Sequence, residues 1–261
     1  MTAGLATDDA QANVVQDLRY VVITRDSARW FGIILDGYEA LGIRPFVLLD
    51  HASSDGTENL LRARNVDFAT VRADAPRVEA MVRLIPEHVR SRWVVRLDDD
   101  ELPSRGMRDF IATRLDGLGR DVVGFQRRWI RRLPDRSCDY SRHPLILSSF
   151  EALDAQWRAF RPDVVQYRSD IHTPGFDVPA GCPIAPASAY IAHFNWLVRS
   201  ADERRLQVAN YDRQLPGAGS RFRDIYAWED GDTAAHCFRP MEGGEFDVIA
   251  AALSATVALK R

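Results

Sequence analysis

Apolar positions along the chain fall into short continuous runs separated by stretches in which they recur every three or four residues. Arg19 to Thr24 (RYVVIT) is a compact β-branched run, the composition of a strand buried on both faces. In the next stretch Ala28, Phe31, Leu35 and Tyr38 recur one helical turn apart, and Leu41-Gly42 supplies a stop. Pro45 to Asp50 (PFVLLD) predicts a second strand that ends in a carboxylate, after which Asp55 caps a helix carrying Glu58 in its first turn. Val66 to Val71 predicts a third strand and Ala75 to Val89 a helix. Arg92 to Leu97 (RWVVRL) predicts a fourth strand that runs straight into Asp98-Asp99-Asp100-Glu101. Arg108 to Leu115 then reads as a short helix, and Val122 to Gln126 opens another strand. Regular alternation of this kind predicts an α/β fold, a mostly parallel central sheet with helices on both faces and right-handed crossovers.

The second half is less regular. Arg127 to His143 (RRWIRRLPDRSCDYSRH) reads as a long loop or an irregular hairpin. Ser188 to Phe194 predicts a strand. Ser200 and Glu203 match a capping box opening a helix to about Tyr211, Gly217 to Ser220 a flexible turn, and Phe246 to Leu259 a closing helix. The expected organisation is a loose tail over residues 1–17, one half over 18–126, and a second half of the same domain over 127–261.

Composition narrows the class. With 261 residues, 46% hydrophobic and 27% charged, the chain can bury a full core. A formal charge of −3 lacks the basic bias of a general nucleic-acid binder. Cys138, Cys182 and Cys237 form no CxxC pair, which argues against structural zinc and for reduced thiols in a cytoplasmic protein. The small, polar, acidic opening residues do not match a secretory signal. Val248 to Leu259 falls well short of the ~20 residues a membrane helix needs, so any membrane contact is expected to be peripheral.

In an open parallel sheet, ligands bind at the carboxyl ends of the strands. Three polar clusters fall at that edge: Thr24-Arg25-Asp26, Asp50 to Thr57 (DHASSDGT), and Asp98 to Glu101. Four consecutive acids repel one another unless water or a cation screens them. Mg2+ and Mn2+ take oxygen ligands of this kind, one or two carboxylates plus substrate phosphates, and can neutralise a departing diphosphate.

Residues 19–102 resemble the first half of a GT-A glycosyltransferase of the family 2-like type. DHASSDGT is similar to that family's D-x-x-S-x-D-G-T signature, and RLDDDELP to its strand-terminal DXD motif followed by Glu. The resemblance implies that 18–126 is the half binding a nucleotide-sugar and 127–261 the half binding the acceptor. It implies Asp50 as a hydrogen-bond acceptor for the base, which a carboxylate does best for uracil, thymine or guanine. UDP-sugar is the donor it favours. Thr24, Arg25, Ser53, Asp55, Asp98 and Asp99 would border the donor, and Asp98, Asp100 and a late histidine, His193, would hold Mn2+ or Mg2+. The acceptor would be a glycan, a glycolipid or a small molecule.

The family's general base has no clear counterpart here. Asp170, with His172 two residues on, is the leading catalytic candidate, ahead of Asp154, Glu151 and Asp177. The arginines of 127–142 either clamp an anion or lie as a solvated loop over Trp129 and Tyr140. Arg199, Arg204 and Arg205 offer a second such group, and Trp157, Trp196 and Trp228 are either sugar-stacking or core residues. Two other functions fit less well. A sugar-phosphate nucleotidyltransferase would want glycines after the first strand, which Thr24 to Ala28 lacks. A binding protein without turnover would have no need of the acidic cluster.

Overall fold

The computed structural model describes residues 17–75, 78–133, 137–142, 151, 153–170, 173–217, 219, 223, 226 and 237–258. The expected tail, save Asp17, and His172 and Trp228 lie outside these residues, as does much of the expected turn over 217–220. In the first half β1 (Leu18–Thr24), β2 (Phe46–Asp50), β3 (Phe68–Val71) and β4 (Trp93–Asp98) form the parallel part of the sheet, in the order β3-β2-β1-β4. Between them run α1 (Ala28–Ala40), α2 (Thr57–Ala63), α3 (Val78–Val82) and α4 (Ile85–His88). Next come β5 (Glu101–Pro103), α5 (Arg105–Arg114), β6 (Val122–Arg132), β7 (Cys138–Ser141), β8 (Ala155–Phe160), β9 (Tyr190–His193), α6 (Asn195–Val198), α7 (Ala201–Gln214), β10 (Arg239–Pro240) and α8 (Asp247–Ala258). β8 joins β4 antiparallel and β6 extends the sheet beyond it, so the expected α/β architecture is present with a mixed second half.

Strand alternation divides the core. Tyr20, Val22, Val47, Leu49, Val95 and Leu97 face one side and pack with α1, α5 and α8. Val21, Ile23, Leu48, Val94 and Phe160 face the other, where α3 and α4 lie. These two helices have only five and four residues, so they cover the second face incompletely. By the same alternation, Arg96 and Arg158 point to that less covered face.

Several expectations are corrected. The single helix expected over Ala75 to Val89 is two short ones, because Pro86 lacks an N–H and enters only near a helix start. Of the two readings of Arg127 to His143, the described residues follow the hairpin: β6 runs on to Arg132 and pairs antiparallel with β7, register Trp129 to Ser141. Its described arginines are half-buried rather than solvated, and Arg127 lies over Trp129 and Arg128 over Tyr140 as expected. Arg127 has 15% side-chain exposure, Arg128 stacks on Tyr140 and Tyr190, and Arg131 stacks on Phe238. β6 reaches these partners through a register shift at Val123/Gly124, where a Cβ on Gly124 would press on the Trp157 ring at 3.0 Å. The capping box is present, with Ser200 accepting from the Glu203 N–H, and its helix runs to Gln214.

α5 starts earlier than Arg108 because Ser104, fully buried, caps it. The Ser104 hydroxyl accepts from the Met107 N–H (3.0 Å) and the Tyr190 N–H (3.1 Å) and donates to the Ser188 carbonyl (3.1 Å). One side chain thus joins β5, α5 and β9. Ser104→Ala should lower stability by about 1–3 kcal/mol, the sum expected for a lost cap and buried donors left unpaired. Urea unfolding measures this, and an unchanged midpoint would show that the hydroxyl does not hold these elements together.

Candidate active site

The carboxyl ends of β1, β2 and β4 meet at one edge, as the sequence predicts. The loop after β1 turns sharply at Asp26, whose φ of 51° is left-handed and tolerated by Asp. Ser53 Oγ accepts from the Asp26 N–H at 3.0 Å, and Asp55 accepts from the Ala28 N–H at 2.8 Å and the Thr57 N–H at 3.0 Å. Ser53 and Asp55 therefore lace the β1 and β2 loops together, and neither lines the two cavities at this edge. Asp50, buried, accepts from the Ala52 N–H at 3.0 Å and stands 3.6 Å from Arg25 and 3.1 Å from His51 Nδ1.

Of the four acids Asp99, Asp100 and Glu101 are buried and Asp98 is half-buried, and arginines supply most of the counter-charge. Asp98 accepts from Arg96 (2.7 Å) and Arg158 (2.8 Å), while Glu101, with no exposure, accepts from Arg158 at 2.7 Å and Arg127 at 3.4 Å. Asp99 accepts from the Thr24 hydroxyl at 2.7 Å. Asp100 takes Arg199 at 2.6 Å and Asn195 at 3.2 Å on one oxygen and faces His193 Nε2 at 3.3 Å with the other. Burial works against charge on Asp100, yet His193 and Arg199 hold its carboxyl well below the usual range. Burial, then the Asp100 charge, push Asp99 up to about 7 against the pull of Arg199. Burial and the Asp98 charge push Glu101 up, with Arg127 opposing. Burial lowers the His193 imidazole below its ordinary value, although Asp100 pulls the other way.

Among the described residues no three His, Cys, Asp or Glu side chains converge to hold a cation. The expected trio does not converge: Asp100 faces His193, while Asp98 turns its two oxygens to Arg96 and Arg158. The pair still fits a hard divalent ion. Asn195 Oδ1 lies beside it, buried and without a partner, and such ions commonly complete their shell with water and substrate phosphates.

Two contiguous lobes open over this edge. The smaller, about 210 Å³, is lined by Thr24, Arg25, Asp50, Asp98 to Asp100, His193, Asn195 and Arg199. The larger, about 520 Å³, is lined by Arg96, Asp98, Gln156, Trp157, Arg158, Thr173 and Pro174. Arg127, Gln207, Tyr211 and Tyr226 border both, and α7 forms their shared roof. Asp98 is the carboxylate, among the described residues, that lines both lobes. The structure thus brings Thr24, Arg25, Asp50, Asp98, Asp99, Asp100 and His193 together. Asp170 is exposed and lines neither lobe, although Thr173 and Pro174 of the same loop border the larger. Asp154 is held below its usual range despite burial, by Arg127 and the Trp129 N–H, and lines neither lobe; nor do Glu151 and Asp177. Of the tryptophans, Trp157 lines the larger lobe and Trp196 packs on Trp129.

No protein-family model matches the chain, and no curated protein sequence does. Solved structures with similar folds include TarS of S. aureus in complex with UDP-GlcNAc, at 12% identity and TM-score 0.48 over 80% of this chain and 70% of that one. Glucosyl-3-phosphoglycerate synthase from Mycobacterium tuberculosis, in complex with Mn2+, UDP and glucosyl-3-phosphoglycerate, is 16% identical with TM-score 0.47 over 82% of each chain. HddC from Yersinia pseudotuberculosis is 10% identical with TM-score 0.41 over 67% of this chain and 93% of that one.

The sequence reading missed Arg96, Arg158 and the roof residues Gln207 and Tyr211. Arg158 is the sharpest test of the electrostatics, since removing one partner of a buried pair costs about 3–5 kcal/mol. Arg158→Met should destabilise by that order. Combined with Glu101→Gln, which removes the stranded charge, it should cost less than the two single changes added together. Urea unfolding of the four proteins checks this, and strict additivity would deny the coupling.

Proposed function

We propose that the chain transfers a sugar from a nucleoside diphosphate, UDP-sugar in the favoured reading, to a hydroxyl acceptor. The observation that carries this is the pair of contiguous lobes at the carboxyl edge of β1, β2 and β4, joined at Asp98. Asp50, which lines the smaller lobe and can only accept hydrogen bonds when ionised, suits the uracil N3–H. Thr24 and Arg25 border the base and ribose, with Asp99 behind them. Asp100 and His193 would hold Mn2+ or Mg2+, which when bound neutralises the diphosphate as it leaves. Arg199, already on Asp100, places a fixed positive charge at the same point.

The acceptor enters the larger lobe. Its oxygen attacks the anomeric carbon from the side opposite the diphosphate, which inverts configuration, and the bonding pair departs with UDP. The hydroxyl proton passes to a carboxylate at the junction, for which Asp98 is better placed than Asp170. The larger lobe, about 520 Å³, is of the size that small ligands occupy, and the smaller, about 210 Å³, opens beside it.

A sugar-phosphate nucleotidyltransferase would use the same edge, but it would release pyrophosphate from a nucleoside triphosphate. A binding protein without turnover would release nothing. Calorimetry should therefore show UDP binding that strengthens with Mn2+, with ADP and CDP weaker. Asp50→Ala should weaken UDP about tenfold or more, the order of one lost charge-assisted hydrogen bond. Asp100→Asn should remove the Mn2+ effect. UDP binding unaffected by either change would overturn this placement, and pyrophosphate release from UTP would favour the nucleotidyltransferase.

A further inference from the structure

The larger lobe has a floor that stability alone does not explain. Arg96 on β4 and Arg158 on β8 are 4% and 3% exposed, on adjacent antiparallel strands and on the same face. Like charges placed across a strand pair are destabilising. Each guanidinium carries five N–H groups. Yet Arg96, Arg127 and Arg158 together make five hydrogen bonds among the described residues, to Asp98, Glu101 and Asp154. Arg96 Nη2, Arg127 Nη2 and Arg158 Nη1 make none, and Arg158 Nε is buried without a partner. All three arginines line the larger lobe. Gln207, on its roof, has its Oε1 buried and unpartnered too, a free acceptor for a hydroxyl.

We propose that the acceptor is a small hydroxyl compound bearing a carboxylate or phosphate, which Arg96, Arg127 and Arg158 hold in the larger lobe. This deepens the glycosyl-transfer reading and rests on it for the reaction, though not for the binding. The planar guanidinium fork matches both anions, and such charge-assisted hydrogen bonds are about twice as strong as neutral ones. With the anion on the floor, a hydroxyl of the same molecule reaches toward Asp98 and the smaller lobe. There its oxygen forms the bond to the anomeric carbon, its proton passes to the junction carboxylate, and the anomeric C–O bond breaks with its electron pair on UDP. At about 520 Å³ the lobe has room for a monosaccharide or a smaller acid.

The test is calorimetry on the full chain with matched pairs: glucuronate beside glucose, and glycerol 3-phosphate beside glycerol, each with and without saturating UDP. At least one anionic member should bind about tenfold or more tightly than its neutral partner, UDP should not displace it, and Arg96→Gln should remove the preference. Which pair shows the preference distinguishes carboxylate from phosphate. Equal binding within both pairs, or displacement of the anion by UDP, would overturn the proposal even where UDP itself binds. Retention of the preference in Arg96→Gln, with the variant's unfolding midpoint near that of the wild type, would overturn it as well. If the anions bind in this way and UDP does not bind, the anion site stands and the donor reading falls.

Discussion

The structure depends on packing a run of acids at the end of β4, three of them buried, and matching them with arginines of which all but Arg96 come from later segments. Asp98, Asp99 and Asp100 sit where the sheet edge meets two cavities, with Glu101 fully buried behind them, and four carboxylates there would repel one another severely in a low-dielectric setting. Arg96, Arg127, Arg158 and Arg199 come from four different segments, β4, β6, β8 and the turn before α7. Their pairing fixes how the second half docks on the first. The arrangement also leaves a charged, hydrogen-bond-rich edge open between the lobes, which is what transfer between two polar substrates requires.

The incomplete cover on one sheet face has the same origin. α3 and α4 are too short to seal it, so Arg96, Arg158 and Asp98 lie at the bottom of a cavity rather than inside a core. On the opposite face α1, α5 and α8 pack a continuous apolar layer. One face thus supplies cohesion and the other supplies the site. The ion pair between Arg29 of α1 and Glu203 of α7, at 2.7 Å, anchors the roof helix to the first half.

Much of the first half was legible in the sequence because its cues are local. β1, β2 and β4 are continuous apolar runs, and Asp50 and Asp98 follow from where those runs end. The capping box at Ser200 is likewise a short-range signal. Arg158 was not legible: AQWRAF places an arginine inside a strand, which breaks the apolar run, and its partner Asp98 lies 60 residues away. Pairing Arg199 with Asp100 spans 99 residues, and no local spacing announces it. The arginines of β6 lie over Trp129 and Tyr140 as the sequence suggests, but composition alone does not show that those rings are buried. Ser53 and Asp55, which the resemblance places beside the donor, also do something no motif announces: their oxygens bind the backbone at and just after the neighbouring loop.

The most direct test of the account is a crystal structure of the chain grown with UDP and Mn2+. The account predicts the uracil against Asp50, the diphosphate beside Arg199, the ion on Asp100 and His193, and the larger lobe left free for an acceptor. Nucleotide bound elsewhere, or an ion and diphosphate away from Asp100 and His193, would contradict it.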